Sequence, residues 1–465
     1  MHLLARCTLH LCTMPHALLI STYEMGRQPF GIASPAAWLR RDGWDVDCAD
    51  VSKDKLLDAA ITRADLVGFH LPMHTATRLA GPVIRRVCAV NPRARVCAFG
   101  LYAPLNEPWL RSLGVDAIFG GEFEAELTAW AGLKACATDT ATVVAQPFRA
   151  AVPRIHFLVP DRSTLPPLSR YATLQMTDGS RRTVGYTEAS RGCRHRCRHC
   201  PVVPIYDGQF RIVSPEVVLA DIAAQVTAGA QHITFGDPDF FNGPTHAMRI
   251  VEGLHAAHPG VSYDVTIKVE HLLRHRDLLP RLASTGCAFV VSAVESIDDH
   301  VLALLDKGHT RADFLEAVAC CREAGVTLTP TFVAFHPWLS LEGYCDLLDT
   351  IAALDLVDHV APIQFAIRLL VPDGSRLLEV DAMWRHLGAF DPSTLTHRWS
   401  HPDPRVDALH HEVTRLVGMR LTGDRHAVFA EISAVAHERA GISAPSPRPF
   451  RDRATVPYLN EPWYC

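Results

Sequence analysis

Short apolar runs recur along the first 131 residues, and stretches of helical spacing separate them. The runs at 17–21, 45–48, 66–69, 95–99 and 116–119 read as strands. Residues 34–41 and 76–90 read as helices, and Gly120-Gly-Glu-Phe-Glu-Ala-Glu126 opens another. Such strand–helix alternation predicts a parallel, doubly wound sheet. Ligands of such sheets sit beyond the carboxyl ends of the strands. That rim here carries Thr22, Tyr23, His70, Pro72, His74 and Gly100.

Residues 132–185 break the pattern as a Pro-rich linker, with extended backbone expected around Leu165-Pro-Pro167. Alternation resumes at 186 and runs to 375. Strands are expected at 186–190, 232–236, 262–267, 288–294, 326–333 and 360–367. Helices are expected at 214–228, 243–257, 271–284, 298–305, 311–324 and 341–353. Six βα units suit a partial (β/α)₆ barrel, whose chemistry belongs at the strand C-termini. Residues 376–465 differ: a His-rich helix (407–423), a second helix (427–440), then a Pro/Arg-rich tail.

The chain's 465 residues predict two to three domains. Its 48% hydrophobic and 20% charged content is that of an ordinary globular enzyme. A net charge of −5 without a long basic run gives no electrostatic sign of nucleic acid. The 14 cysteines are scattered, which fits a reducing, cytoplasmic setting. No stretch reaches the ~18 apolar residues that span a bilayer. The apolar segment before Met14 is short and His-interrupted for a signal peptide, and translation starting at Met14 is the expected reading.

Candidate chemistry concentrates in Arg191-Gly-Cys-Arg-His-Arg-Cys-Arg-His-Cys-Pro201. Cys193, Cys197 and Cys200 are three thiolates at spacing CxxxCxxC. Electron-transfer ferredoxins supply four cysteines per cube. Three leave one iron of a [4Fe–4S] cluster open, as catalytic metal sites keep an open position. A zinc site drawing on His195 or His199, and a reduced, inert loop, are the competing readings. Gly192 frees the backbone ahead of the first ligand, and Arg191, Arg194, Arg196 and Arg198 surround it with positive charge.

This motif resembles that of radical S-adenosylmethionine (SAM) enzymes. The arrangement ahead of it, with its Gly-Gly-Glu-Phe-Glu stretch, resembles the class that carries a cobalamin-binding-type domain. The resemblance implies an α/β chain of four parts. These are a Rossmann-like doubly wound domain (14–131), the linker (132–185), a TIM-like radical SAM (β/α)₆ barrel (186–375) and a helical extension with a Cys-terminated tail (376–465). It implies a [4Fe–4S] cluster and SAM as cofactors, with cobalamin as a further one. No Asp-x-His-x-x-Gly segment is present to supply a lower-axial histidine to cobalt. Expected partners are a small-molecule substrate and a low-potential donor of flavodoxin or ferredoxin type, with no nucleic acid and no membrane.

The resemblance also implies cofactor contacts. Gly236, Asp237 and Asp239, in Gly236-Asp-Pro-Asp-Phe-Phe241, stand where the family meets the SAM ammonium, with a helix N-cap and turn as the alternative. Lys268 closes the third barrel strand. Glu295 closes the fourth, where relatives contact the ribose, with a structural ion pair as the alternative. Lys307-Gly-His-Thr310 shapes the SAM pocket in relatives, and Gln364 is the candidate for adenine or substrate contact. Cys320-Cys321 reads as two small buried hydrophobes.

The ending Glu-Pro-Trp-Tyr-Cys465 resembles that of the CUAEP/CCAEP-tail radical SAM (seleno)proteins. The expectation is that a recoded UGA, hence selenocysteine, follows Cys465, with an ordinary terminus as the alternative. A vicinal Cys–Sec or Cys–Cys pair can close a bond, resolve a redox intermediate or hold a soft element. That makes Cys465 the catalytic candidate. The activity expected is reductive SAM cleavage followed by methyl transfer, C–S or C–metalloid bond formation, or rearrangement. A non-enzymatic Fe–S or zinc redox sensor and an RNA-modifying radical enzyme are the alternatives.

Overall fold

The structure, a computed structural model, describes residues 14–133, 155–419, 424–443 and 456–460. Cys465 lies outside them. The first sheet is parallel, with strands β1 (His16–Ser21), β2 (Asp45–Asp50), β3 (Leu66–His70), β4 (Arg95–Phe99) and β5 (Ala117–Phe119) in the order β2-β1-β3-β4-β5. Every residue of β1 and β3 is buried, as central strands covered on both faces require. The order switches between β1 and β3, so the ligand crevice of such a sheet opens where Ser21 and His70 end their strands.

The second sheet begins inside the stretch expected as a linker. A hairpin of β6 (Thr173–Gln175) and β7 (Arg181–Thr187) forms its near edge. After β7, the short strands β8 (Ser190–Gly192) and β9 (Phe210–Ile212) pair around the cysteine loop. Then come β10 (His232–Phe235), β11 (Ser262–Thr266), β12 (Cys287–Glu295) and β13 (Leu328–Phe332). From β7 through β10, β11 and β12 to β13 the pairing is parallel. The result is a curled half-barrel.

The sixth expected strand does not form. Pro362 removes a ladder donor, Pro362–Phe365 is a 3₁₀ turn, and an isolated bridge between Phe335 and Arg368 follows it. The helix expected at 271–284 is two, Val269–Arg274 and Leu279–Ser284, because Pro280 begins the second. The C-terminal part is not wholly helical. It holds a hairpin of β14 (Leu387–Asp391) and β15 (Thr396–Trp399), helices Pro404–Met419 and Arg425–Ala440, and β16 (Tyr458–Asn460). β16 pairs antiparallel with β6 and extends the barrel sheet.

Two cores explain why these parts hold together. The largest joins the barrel interior to the last two helices through Leu409, Val413, Val428 and Ile432. A second fills one face of the first sheet, and Cys193, Val202, Ile205 and Tyr206 of the cysteine loop belong to it. Both domains therefore fix the position of the loop. Among the described residues, no helix is long and apolar enough to cross a membrane.

Candidate active site

The cysteine loop leaves β8 at Gly192, whose φ is +77°. A Cβ there would lie 2.4 Å from Tyr206 Cδ1 and 2.5 Å from the Gln209 carbonyl oxygen. Left-handed backbone alone costs another residue about 1–2 kcal/mol. Gly192→Ala is therefore expected to lose most of its cluster iron, measured per folded chain after anaerobic reconstitution.

Cys193 and Cys197 are 8% and 6% exposed, and Cys200 is half-buried. All three are free thiols. Asn242 steadies the loop: its Oδ1 lies 3.8 Å from Cys193 Sγ and accepts from the Arg194 amide at 3.1 Å. Burial, with Cys197 and Cys193 nearby, pushes the Cys200 thiol up to about 12. A thiol so placed ionises readily only when a metal supplies the opposing charge. Lys268 Nζ stands 3.8 Å from Cys197 Sγ. Among the described residues, His195, Asp239 and His271 each offer one donor atom within 4.8 Å of the others.

Of the loop arginines, Arg194 and Arg196 are exposed, and Arg196 pairs with Asp207. Arg194 lies over the Phe210 ring, and Arg198 donates to the carbonyls of Ala303 and Leu304 at the end of a helix. Arg191 is buried. Its Nη1 lies 2.7 Å from Glu124 Oε1 and its Nε donates to Glu188 Oε2 at 2.7 Å. Glu124, the second acid of Gly-Gly-Glu-Phe-Glu, is 0% exposed and also accepts from Ser34 Oγ at 2.6 Å. The glutamate of that stretch thus ties the first domain to the root of the cysteine loop.

The residues expected to meet SAM gather around the strand ends. Gly236 is required by close approach, since a Cβ would lie 1.7 Å from Tyr186 Oη. Neither aspartate offers a free carboxylate. Asp237 accepts from Ser190 Oγ at 2.6 Å and the Ala189 amide at 2.9 Å, and burial raises its carboxyl to about 7. Asp239 faces two imidazoles, with His271 Nδ1 at 2.7 Å and His195 Nε2 at 3.5 Å from its Oδ2. Burial would raise its pKa, but the two rings hold it down at about 2.

Glu295 ends β12 at φ +67°, after a break in register with β13. A non-glycine residue held there marks strain the surroundings impose. Its Oε1 lies 3.1 Å from His199 Nε2 and 3.4 Å from Lys307 Nζ. Burial acts to raise its pKa, yet Lys307 and then His199 bring it down to about 2 from 4.5. A depressed carboxyl contributes stability above its unfolded pKa, and that stability is lost as pH falls toward its folded value. The urea midpoint gap between wild-type apoprotein and Glu295→Gln should therefore be wide at about pH 6 and narrow at about pH 3.

Two cavities flank these residues. One lies between the first sheet and the barrel, lined by Glu24, Gly31, His70, Gly100, Glu188 and Gly192 among others. The other is the barrel lumen, lined by Thr234, Asp264, Thr331, Gln364, Arg425 and Tyr458 among others. Met25, Arg27 and Gly236 border both. His70 Nδ1 donates to Glu24 Oε1 at 2.8 Å. His74 is turned elsewhere, its Nε2 2.6 Å from the Thr394 carbonyl oxygen, and Thr22 Oγ1 donates to the Ala76 carbonyl. Gln364 Oε1 accepts from the Phe332 amide at 3.0 Å on the lumen wall. Cys321 is 1% exposed in a helix core.

Sequence reading did not single out Asn242, His271 or the Glu124–Arg191 pair as site residues. The only signal for Glu124 was the acidic stretch that carries it. Asn242 stands three residues after Asp239 and His271 three after Lys268, on the same strand-end segments.

Residues 187–351 match the family model described as the Radical SAM superfamily, a family that uses a [4Fe–4S] cluster and SAM. Two curated relatives are a tRNA-2-methylthio-N(6)-dimethylallyladenosine synthase of Moorella thermoacetica and the hopanoid C-3 methylase of Methylococcus capsulatus. The first is 26% identical over 35% of this chain and 38% of its own, the second 26% over 32% and 29%. The chain thus spans well under half the length of either. Among solved structures, the cobalamin-dependent SAM radical enzyme OxsB superposes with TM-score 0.69 at 14% identity, covering 87% of this chain and 67% of that one. The radical SAM methyltransferase TsrM of Kitasatospora setae superposes with TM-score 0.61 at 15% identity, covering 93% and 92%. These likenesses show the fold.

Proposed function

We propose that the chain is a radical SAM enzyme that binds cobalamin between its two sheets and transfers a one-carbon group to a small molecule in the barrel lumen. The observation that carries this reading is the continuity of the two cavities across Met25, Arg27 and Gly236, next to the cysteine loop. A methyl carrier in the first cavity would face a substrate in the second. When bound, a three-thiolate [4Fe–4S] cluster supplies one electron to cleave SAM, and cobalamin supplies a transferable methyl group.

The residues divide the remaining work. Cys193, Cys197 and Cys200 would hold the cube. Lys268, 3.8 Å from Cys197 Sγ, would raise its potential. With both aspartates engaged, the backbone at Gly236 and Asp237 is the acceptor left for the SAM ammonium. Glu295 would accept from the ribose hydroxyls while His199 and Lys307 keep it ionised. Backbone at Gly31, Gly100 and Gly192 walls the first cavity, which lets a flat macrocycle approach closely. In the lumen, Thr234, Asp264, Thr331 and Gln364 present hydroxyl, carboxylate and amide groups, which suits a polar substrate. β16 adds Tyr458 to that wall, with Arg425 4.5 Å from its ring centroid. The likeness to tRNA-modifying relatives favours RNA as the second reading.

The test is anaerobic. The reconstituted, reduced protein is given SAM, with and without hydroxocobalamin, and 5′-deoxyadenosine, S-adenosylhomocysteine and bound corrinoid absorbance are measured. Stoichiometric corrinoid retention with formation of both nucleosides is expected in the presence of substrate. Absence of corrinoid binding would remove the methyl-transfer reading, and methylation of bulk tRNA would establish the second reading in place of the first.

A further inference from the structure

Two segments of the barrel and the cysteine loop meet at a point that the proposed chemistry does not use. His195 lies between Cys193 and Cys197. Asp239 follows β10, and His271 lies in the helix that follows β11. One donor atom from each falls within 4.8 Å of the other two. Asp239 is 0% and His271 4% exposed, and the His195 side chain 16%.

The three converging atoms are the ones without hydrogen bonds. His195 Nε2, Asp239 Oδ2 and His271 Nδ1 are all buried and all lack a hydrogen-bond partner. His271 Nδ1 is nonetheless 2.7 Å from Asp239 Oδ2. At that distance the pair is held either by a proton on the imidazole or by a cation in the proton's place, and the His195 ring turned to the same oxygen gives such a cation a third donor. The rest of each group is already anchored. Asp239 Oδ1 accepts from the Phe241 amide at 3.3 Å and the Lys268 amide at 3.5 Å. His195 presents its other nitrogen, Nδ1, 3.6 Å from Glu270 Oε2. A carboxylate behind the far nitrogen is how ligating histidines are oriented and their tautomer set.

We infer that His195, Asp239 and His271 form a second metal site, separate from the thiolates, that takes a divalent transition ion of zinc's preferences. Two imidazoles and one carboxylate match that ion's N/O donors, with a fourth position left for water. Both histidines bind neutral and the aspartate ionised, so one net positive charge remains and no electron moves. Neither cavity described above is lined by any of the three residues, so the ion faces no substrate there and its work is to brace the loop, open position notwithstanding. It pins the middle of the cysteine loop to the ends of β10 and β11 and holds the spacing of the thiols.

The decisive chain is the one without the thiolates, Cys193→Ala/Cys197→Ala/Cys200→Ala, purified with zinc supplied. About one zinc per folded chain is expected by elemental analysis, with at least tenfold weaker retention after His271→Ala or Asp239→Asn is added. Cobalt soaked into the same chain should give d–d bands with no thiolate charge-transfer band. This second readout keeps the proposal testable if the added variants fail to fold. No zinc, zinc indifferent to His271→Ala, or no cobalt d–d spectrum overturns the site. Zinc in the wild type that disappears with the three cysteines would assign the ion to the thiol loop and overturn it equally. The result stands apart from the SAM reading, because this chain carries no cluster.

Discussion

Cys197→Ala is expected to abolish the cluster absorbance and 5′-deoxyadenosine formation together, leaving a folded chain with background iron. Two thiolates cannot hold a four-iron cube against solvent. The side chain nearest to Cys197 by charge is Lys268, a cation that cannot ligate. Asn242, beside Cys193, offers only a neutral amide oxygen. Cys321→Ala is the matched control. It removes a cysteine that is 1% exposed in the core of a helix, so it should lower stability modestly and leave iron and activity intact. Iron content, the EPR signal of the reduced protein and nucleoside yield are read on both. Full iron and full nucleoside yield in Cys197→Ala would end the three-thiolate assignment.

The parallel strands were legible because each is a short apolar run between turn residues, buried on both faces, as in β1 and β3. Where the apolar run persisted but the backbone could not pair, the expectation failed. Residues 360–367 look like a strand until Pro362 is placed in the ladder. β16 had the opposite problem: three residues carry no pattern of their own and become a strand only because β6 presents an open edge. The site divides in the same way. Residue type and spacing pointed to the cysteines, and the family resemblance to the aspartates. They could not show that Asp237 turns back to Ser190, or that Asp239 meets rings 44 positions before and 32 after it in the chain. Such partners come from the fold, not from the motif. His74, on the rim by strand position alone, is drawn away by a hairpin some 320 residues distant.

The largest stability effect is expected at Arg191. This side chain joins Glu188 of the barrel entry to Glu124 of the first domain, and both it and Glu124 are withdrawn from water. Phe30, Phe123 and Phe157 surround its guanidinium. Removing one partner of a buried pair strands the other charge, which costs about 3–5 kcal/mol. Arg191→Leu should therefore lose stability of that order in urea unfolding of the apoprotein. It should also load less iron, since Cys193 is two residues on. Glu124→Leu alone should be similarly damaging, because Arg191 then keeps only Glu188. The double variant Arg191→Leu/Glu124→Leu should lose less than the two single losses summed, as the Glu124 charge is no longer stranded, while Glu188 still lacks its partner. Additive losses, or a single-variant cost below about 1 kcal/mol, would mean that the pair is open to solvent and that the two domains are held by their apolar core alone.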